Sequence, residues 1–187
     1  MDKTINDIST PYVERHPLEP FLPPGAKILM LGSFPPPMAR WSMDFYYPNL
    51  QNDMWRIFGL VFFDDKAHFL EPDGKSFSKE RLEEFLSAKG VALSDTAVSV
   101  VRHKGTASDK FLEIVETRDI SAMLERIPEG QAIGTTGDKA TQALTSVIGT
   151  PDPGVITKRQ SEYAGSPLRP CGWRAASRAS HPPPENK

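Results

Sequence analysis

The chain has 187 residues, 39% of them hydrophobic and 25% charged, with a formal charge of −2. That length predicts one domain able to bury a real core, and the slight acidity argues against an indiscriminate nucleic-acid binder. A single cysteine, Cys171, excludes an intrachain disulfide or a cysteine-based metal cluster, and no apolar run is long enough for a membrane span.

Residues 1–26 carry Pro11, Pro17, Pro20, Pro23 and Pro24 and read as an arm laid over the core without regular structure apart from a short helical turn. Met1-Asp2-Lys3-Thr4 does not begin a secretory leader, which predicts a cytoplasmic protein. Lys27 to Phe34, with the apolar run Ile28-Leu29-Met30-Leu31 followed by Gly32, reads as a fully buried strand. A helix is expected over Asp53 to Phe62, with Asn52 as N-cap and Met54, Ile57, Phe58 and Val61 as its inward stripe. Pro72-Asp73-Gly74 signals a turn. Ser78 to Ala88 reads as a second helix, with Leu82, Phe85 and Leu86 facing inward and Gly90 ending it. Val91 to Thr96 reads as a connection, and Ala97 to Val101 as the next strand. Arg102 to Asp109 is a loop. Asp119 opens a helix over Ile120 to Ile127, which stops before Pro128. Gln131 to Thr135 is a third strand, and Gly137 turns the chain into a helix over Lys139 to Ile148. Leu168 to Trp173 is a candidate fourth strand, weakened by Pro170 and Gly172.

Strands alternating with helices predict an α/β fold: a three-layer α/β/α sandwich around a central, mostly parallel four-stranded sheet. Residues 27–150 would form this core and residues 151–187 an atypical C-terminal segment. The loops after the strands, at Gly32, Arg102 and Gly137, should then share one sheet edge and surround one crevice, where such folds bind ligands.

The first of these loops is the most informative. It runs Gly32-Ser33-Phe34-Pro35, then Phe45-Tyr46-Tyr47-Pro48-Asn49, then Asn52-Asp53-Met54-Trp55. Prolines hold it rigid, aromatics offer stacking surfaces, and an amide stands at a helix start. Those are the parts of a pocket for a flat, polar, neutral ring. Asn52 is either a plain N-cap or a pocket amide that orients a ligand or a water. Tyr46 and Tyr47 are either core aromatics or a stacking platform, and Trp55 is expected to pack against the arm. The loop has neither the lysine of a P-loop nor a Gly-x-Gly-x-x-Gly pattern, so no nucleotide cofactor is expected. Ser33 lacks the context of a nucleophile elbow. The histidines at 16, 68, 103 and 181 show no metal spacing and read as surface or loop residues, and no metal is expected. From Pro151 onward six cations face three anions, a net of +3. This is either a solvated tail or a face that meets phosphate.

Taken together, these motifs resemble the uracil-DNA glycosylase superfamily, in the branch of mismatch-specific uracil/thymine and hypoxanthine (deoxyinosine) glycosylases. The resemblance rests on Gly32-Ser33-Phe34-Pro35, Tyr46-Tyr47-Pro48 and Asn52-Asp53-Met54-Trp55. Three weaker stretches add to it: Ser94-Asp95-Thr96, Arg102-His103-Lys104-Gly105 with Ala107-Ser108-Asp109, and Ile133-Gly134-Thr135-Thr136-Gly137 with Lys139-Ala140. It covers roughly Lys27 to Ile148. It implies a cofactor-independent, monofunctional DNA repair enzyme, monomeric and nucleoid-associated, acting on double-stranded DNA that holds a damaged or mismatched base such as uracil or hypoxanthine. Asn52 and Ser33 would be catalytic, and Gly32, Phe34, Pro35, Tyr46 and Tyr47 would line the base pocket. Arg174, Ser177, Arg178 and Ala179 would contact DNA.

The chain departs from the family pattern at two places. Mismatch-type members carry an asparagine where Phe34 stands, which passes the amide role to Asn52. The tail from Trp173 to Ser180 is an altered version of the family's DNA-wedging loop, and Pro182-Pro183-Pro184 follows where a final helix is expected. An inactive or purely nucleic-acid-binding member of the same fold is the competing reading.

Overall fold

Ile28–Gly32 (β2) lies at the centre of a parallel sheet, between Val91–Asp95 (β3) and Ala132–Thr135 (β6). The computed structural model describes residues 12–104 and 108–148. Alternation along β2 sorts the core into two layers. Leu29 and Leu31 join Ala92 and pack on Ile120, Met123 and Ile127, most of them from the helix Ile120–Arg126 (α3), and on Leu144 of the helix Asp138–Ile148 (α4). Met30 points the other way, with Val91 and Leu93. Its layer is built from the helices Met54–Phe63 (α1) and Lys79–Lys89 (α2) and an aromatic cluster around Trp55, Phe69 and Phe85. Helices thus cover both faces of the parallel sheet.

The helix ends follow local chemistry. Asp119 caps α3 by accepting a hydrogen bond from the Ala122 N–H at 3.0 Å. Gly90 closes α2 in the left-handed conformation at φ 68°, which a residue without Cβ adopts freely. The bounds of α2, α3, β6 and α4 match the sequence reading to within a residue or two.

The sheet differs from the expected one. The described residues form two three-stranded sheets, not one four-stranded sheet. Val91–Asp95, read from sequence as a connection, is a strand buried at all five positions. A strand covered on both faces shows no alternation, and Ser94 and Asp95 disguise its apolar start. Thr96 alone separates it from Ala97–Arg102 (β4), which leaves the parallel sheet. That strand pairs antiparallel with Val13–Arg15 (β1) and Leu112–Thr117 (β5). The arm therefore contributes a strand, contrary to expectation, and Phe21 also bridges to Leu93. An ion pair ties β1 down: Arg102, with its side chain 4% exposed, donates to both carboxylate oxygens of Glu14 at 2.9 and 3.2 Å. The candidate strand at Leu168 to Trp173 lies outside the described residues.

Helix α1 is rotated from its expected face. Of the expected stripe, Met54 and Phe58 are partly buried against the core, whereas Ile57 and Val61 are more than half exposed; the fully buried positions are Trp55 and Gly59. The indole decides this. Its ring carries the largest apolar area in the segment, and its Nε1–H reaches the Tyr46 carbonyl at 3.1 Å only from the inward position. Trp55 stacks on Phe45 and meets Tyr47 edge-on, so it is a core residue and not merely a prop for the arm.

Candidate functional site

The carboxyl ends of β2, β3 and β6 open onto one cavity of about 270 Å³. The Gly32 loop supplies Ser33, Phe34, Pro35 and Pro36, and the aromatic loop supplies Tyr46, Tyr47, Pro48 and Asn49. Asn52 comes from the entry to α1, Asp95 from the end of β3, Asp109 from beyond β4, and Thr136 and Gly137 from the end of β6. The loops after Gly32 and at Gly137 share the edge of the parallel sheet as expected; the loop after Arg102 follows a strand of the other sheet, contrary to expectation, yet Asp109 beyond it still lines the crevice.

Each wall is held by an identifiable contact. The Tyr46 hydroxyl donates to the Glu19 carbonyl at 3.0 Å, so the arm fixes one aromatic. Tyr47 adopts φ 51°, a left-handed backbone uncommon for a bulky residue. That turn swings its ring toward the sheet edge, where its hydroxyl meets Thr136 Oγ1 at 2.9 Å. Burial raises the phenol pKa of both tyrosines well above the ordinary value, and the nearby Asp95 charge adds to the rise. Both phenols therefore keep their protons in any working range of pH. Phe34 forms part of the wall while packing on Ala97, Val100 and Leu112 of the antiparallel sheet. Arg102 donates to the Pro35 carbonyl at 3.0 Å, which fixes the loop to β4.

Gly32 has a steric reason to be glycine. A Cβ built there would stand 2.1 Å from Asp95 Oδ1. The missing side chain lets a buried carboxylate approach the strand end. Asp95 is 5% exposed and forms the floor, whereas Asp109 is half-buried and stands nearer the mouth. Ser33 Oγ lies 2.9 Å from both oxygens of Asp109, so its proton is already donated there.

Asn52 is exposed and lines the cavity, next to the helix cap Asp53. Its Oδ1 accepts from the Met54 N–H at 2.9 Å. Capping and pocket-lining are thus combined in one side chain: the carbonyl secures a helix N–H, and the Nδ2 group remains as donor.

Sequence reasoning singled out neither Asp95 nor Asp109, two polar residues of the lining, nor His16, which contacts Asp95. The first two lay inside stretches already quoted for their resemblance. His16, read as a surface or loop residue, has a side chain only 1% exposed and pairs with Asp95 at 2.8 Å. Among the described residues no group of three His, Cys, Asp or Glu side chains could hold a metal ion, and no helix is long and apolar enough to cross a membrane. Arg174, Ser177, Arg178 and Ala179 lie outside the described residues.

A solved structure resembles this chain: the solution NMR structure of a candidate uracil DNA glycosylase from Methanosarcina acetivorans. The two align with a TM-score of 0.54 and 24% identity, covering 74% of this chain and 80% of the other. The likeness is one of fold. No protein-family model and no curated protein matches the chain.

Proposed function

We propose that the protein is a DNA glycosylase, which hydrolyses the N-glycosidic bond of a damaged or mismatched base flipped out of double-stranded DNA. The observation that carries this reading is the cavity itself. It has aromatic walls, a polar floor and a position at the carboxyl edge of the parallel sheet. The Methanosarcina acetivorans structure of similar fold, described as a candidate uracil DNA glycosylase, supports the same reading. At about 270 Å³ the cavity suits one ring system rather than an extended cofactor. Uracil and hypoxanthine are the bases proposed.

A base inside a duplex is out of reach, so it must leave the stack at a cost of a few kcal/mol, which is smallest for a mispair. Tyr47 and Phe34 would sandwich the flipped ring, with Tyr46 and Pro35 behind them. Cleavage builds negative charge on the base and positive charge on the sugar. The Asn52 Nδ2 donor and the N-terminus of α1 favour the first. Asp109, held by Ser33 near the mouth, favours the second and can orient the attacking water. Among the described residues no lysine lines the cavity; the proposed nucleophile is water, as a monofunctional enzyme requires. Lys104 and Lys110, which both approach the ring of Phe111 beside Asp109, would meet backbone phosphate. Arg174, Ser177, Arg178 and Ala179 are proposed to add DNA contacts.

One observation favours a second reading. The Asn52 carbonyl is tied to the Met54 N–H, and an amide held in that way can grip a base without activating water. A base-binding, non-cleaving member of the fold would look the same. Single-turnover excision separates the two. Labelled duplexes holding uracil or hypoxanthine are treated with alkali to reveal abasic sites. Strand cleavage that depends on Asn52 supports the glycosylase; saturable DNA binding without cleavage supports the binding module.

A further inference from the structure

The His16–Asp95 pair has a polarity that its hydrogen bonds determine. His16 Nδ1 lies 3.0 Å from the backbone nitrogen of Leu18, and Nε2 lies 2.8 Å from Asp95 Oδ2. A backbone N–H can only donate, so Nδ1 must present its lone pair. The single ring proton then sits on Nε2 and is donated to Asp95. Oδ2 is thereby occupied. Oδ1 receives no hydrogen bond from the described residues and lies against the bare face of Gly32, on the cavity floor.

We propose that His16 is a positioning residue that sets the polarity of the pocket floor. By holding Oδ2 it aims Oδ1 at the ligand as a pure acceptor. The site then takes lactam rings, whose ring nitrogen carries N–H, and rejects rings with a bare nitrogen at that place. The inference rests on the reading that the cavity holds a base. A lactam N–H donates to Oδ1. A bare ring nitrogen would set one lone pair against another and leave a buried acceptor without a proton. His16 reaches the ligand only through Asp95 and is not itself catalytic.

The pair makes an unusual prediction for Asp95→Asn. The His16 N–H demands an acceptor, so the new amide must turn its oxygen toward His16 and its NH2 toward the ligand. The floor becomes a donor. Removing the demand with His16→Phe, in the Asp95→Asn background, frees the amide to flip its oxygen back. Phenylalanine keeps the edge-on ring contact with Phe34, which His16 makes at 5.2 Å.

The test is a chemical-shift titration of the full chain with 1-methyluracil and 9-methylhypoxanthine against 1-methylcytosine and 9-methyladenine. The methyl group stands for the sugar carbon. Wild type is expected to favour the lactams by roughly ten- to a hundredfold. Asp95→Asn should reverse the order, and the double variant should restore it in part, which a merely structural His16 would not do. Imidazole nitrogen shifts should place the His16 proton on Nε2. Absence of a lactam preference in wild type, its persistence in Asp95→Asn, or a proton on Nδ1 overturns the inference. The excision assay stays separate. Preference and reversal without any abasic site keep this inference and remove the glycosylase; base release without the preference does the opposite.

Discussion

Tyr47 and Thr136 join hydroxyl to hydroxyl at 2.9 Å, across 89 positions of chain. The contact ties the aromatic loop before α1 to the end of β6. It explains why a tyrosine tolerates a left-handed backbone: the strained residue is held at both its ring and its hydroxyl.

That contact leads to an alkaline prediction. The phenols of Tyr46 and Tyr47 are raised above their ordinary pKa, chiefly by burial. For a group whose folded value is raised, the stabilisation is complete below the unfolded value, near 10. It is lost as pH climbs from there toward the folded value. A spectrophotometric titration should show Tyr46 and Tyr47 ionising only with unfolding. Ordinary titration of every tyrosine in a folded chain would contradict the buried arrangement.

Gly32→Ala should damage the site out of proportion to its size. The added methyl would overlap Asp95 Oδ1, so the carboxylate must move or the strand ends must part. Overpacking of this kind costs about 1–3 kcal/mol. Chemical denaturation should show that loss, and lactam binding should fall with it. An unchanged midpoint would mean that Asp95 swings away freely.

Asn52→Ala should fold. The residue is exposed, and the lost cap to Met54 is worth about 1 kcal/mol. Under the glycosylase reading, single-turnover excision should drop by on the order of a hundredfold, because an oriented donor in the transition state is removed. Turnover at the wild-type rate would take Asn52 out of the mechanism.

Lys104→Ala and Lys110→Ala should weaken binding to all duplexes alike. If each cation neutralises one phosphate, each variant should reduce the slope of log affinity against log salt by about 1. Affinity measured over a salt series is the check; an unaltered slope would place the DNA path elsewhere.

The parts of the fold with strong local signals were legible in the sequence. Ser78 and Gly90 bracket α2, Asp119 opens α3, and the run before Gly32 marks the central strand. The parts lost were those that only tertiary pairing decides. Val13–Arg15 becomes a strand because β4 offers it an edge and Arg102 offers Glu14 an ion pair. Val91–Asp95 hides because burial on both faces removes its period. The site followed the same division. Tyr46, Tyr47 and Asn52 stand out within one loop, whereas His16 draws its meaning from a partner 79 positions away. A lone histidine among prolines carries no local sign of such a role.

The way the two sheets meet bears on how the protein matures. The parallel strands are ordered β3-β2-β6, so the central strand is made first and its last neighbour much later. Cavity residues range from Leu18 to Gly137. Most of the lining lies before Asp53, but the strands that close the cavity around it come later, and pairing of this non-local kind is slow to form. On the ribosome, a chain that has emerged only through β4 still lacks Asp109, Thr136 and Gly137 of the pocket lining. Competence to engage a ligand therefore arrives late in synthesis, when β6 docks and Thr136 reaches Tyr47.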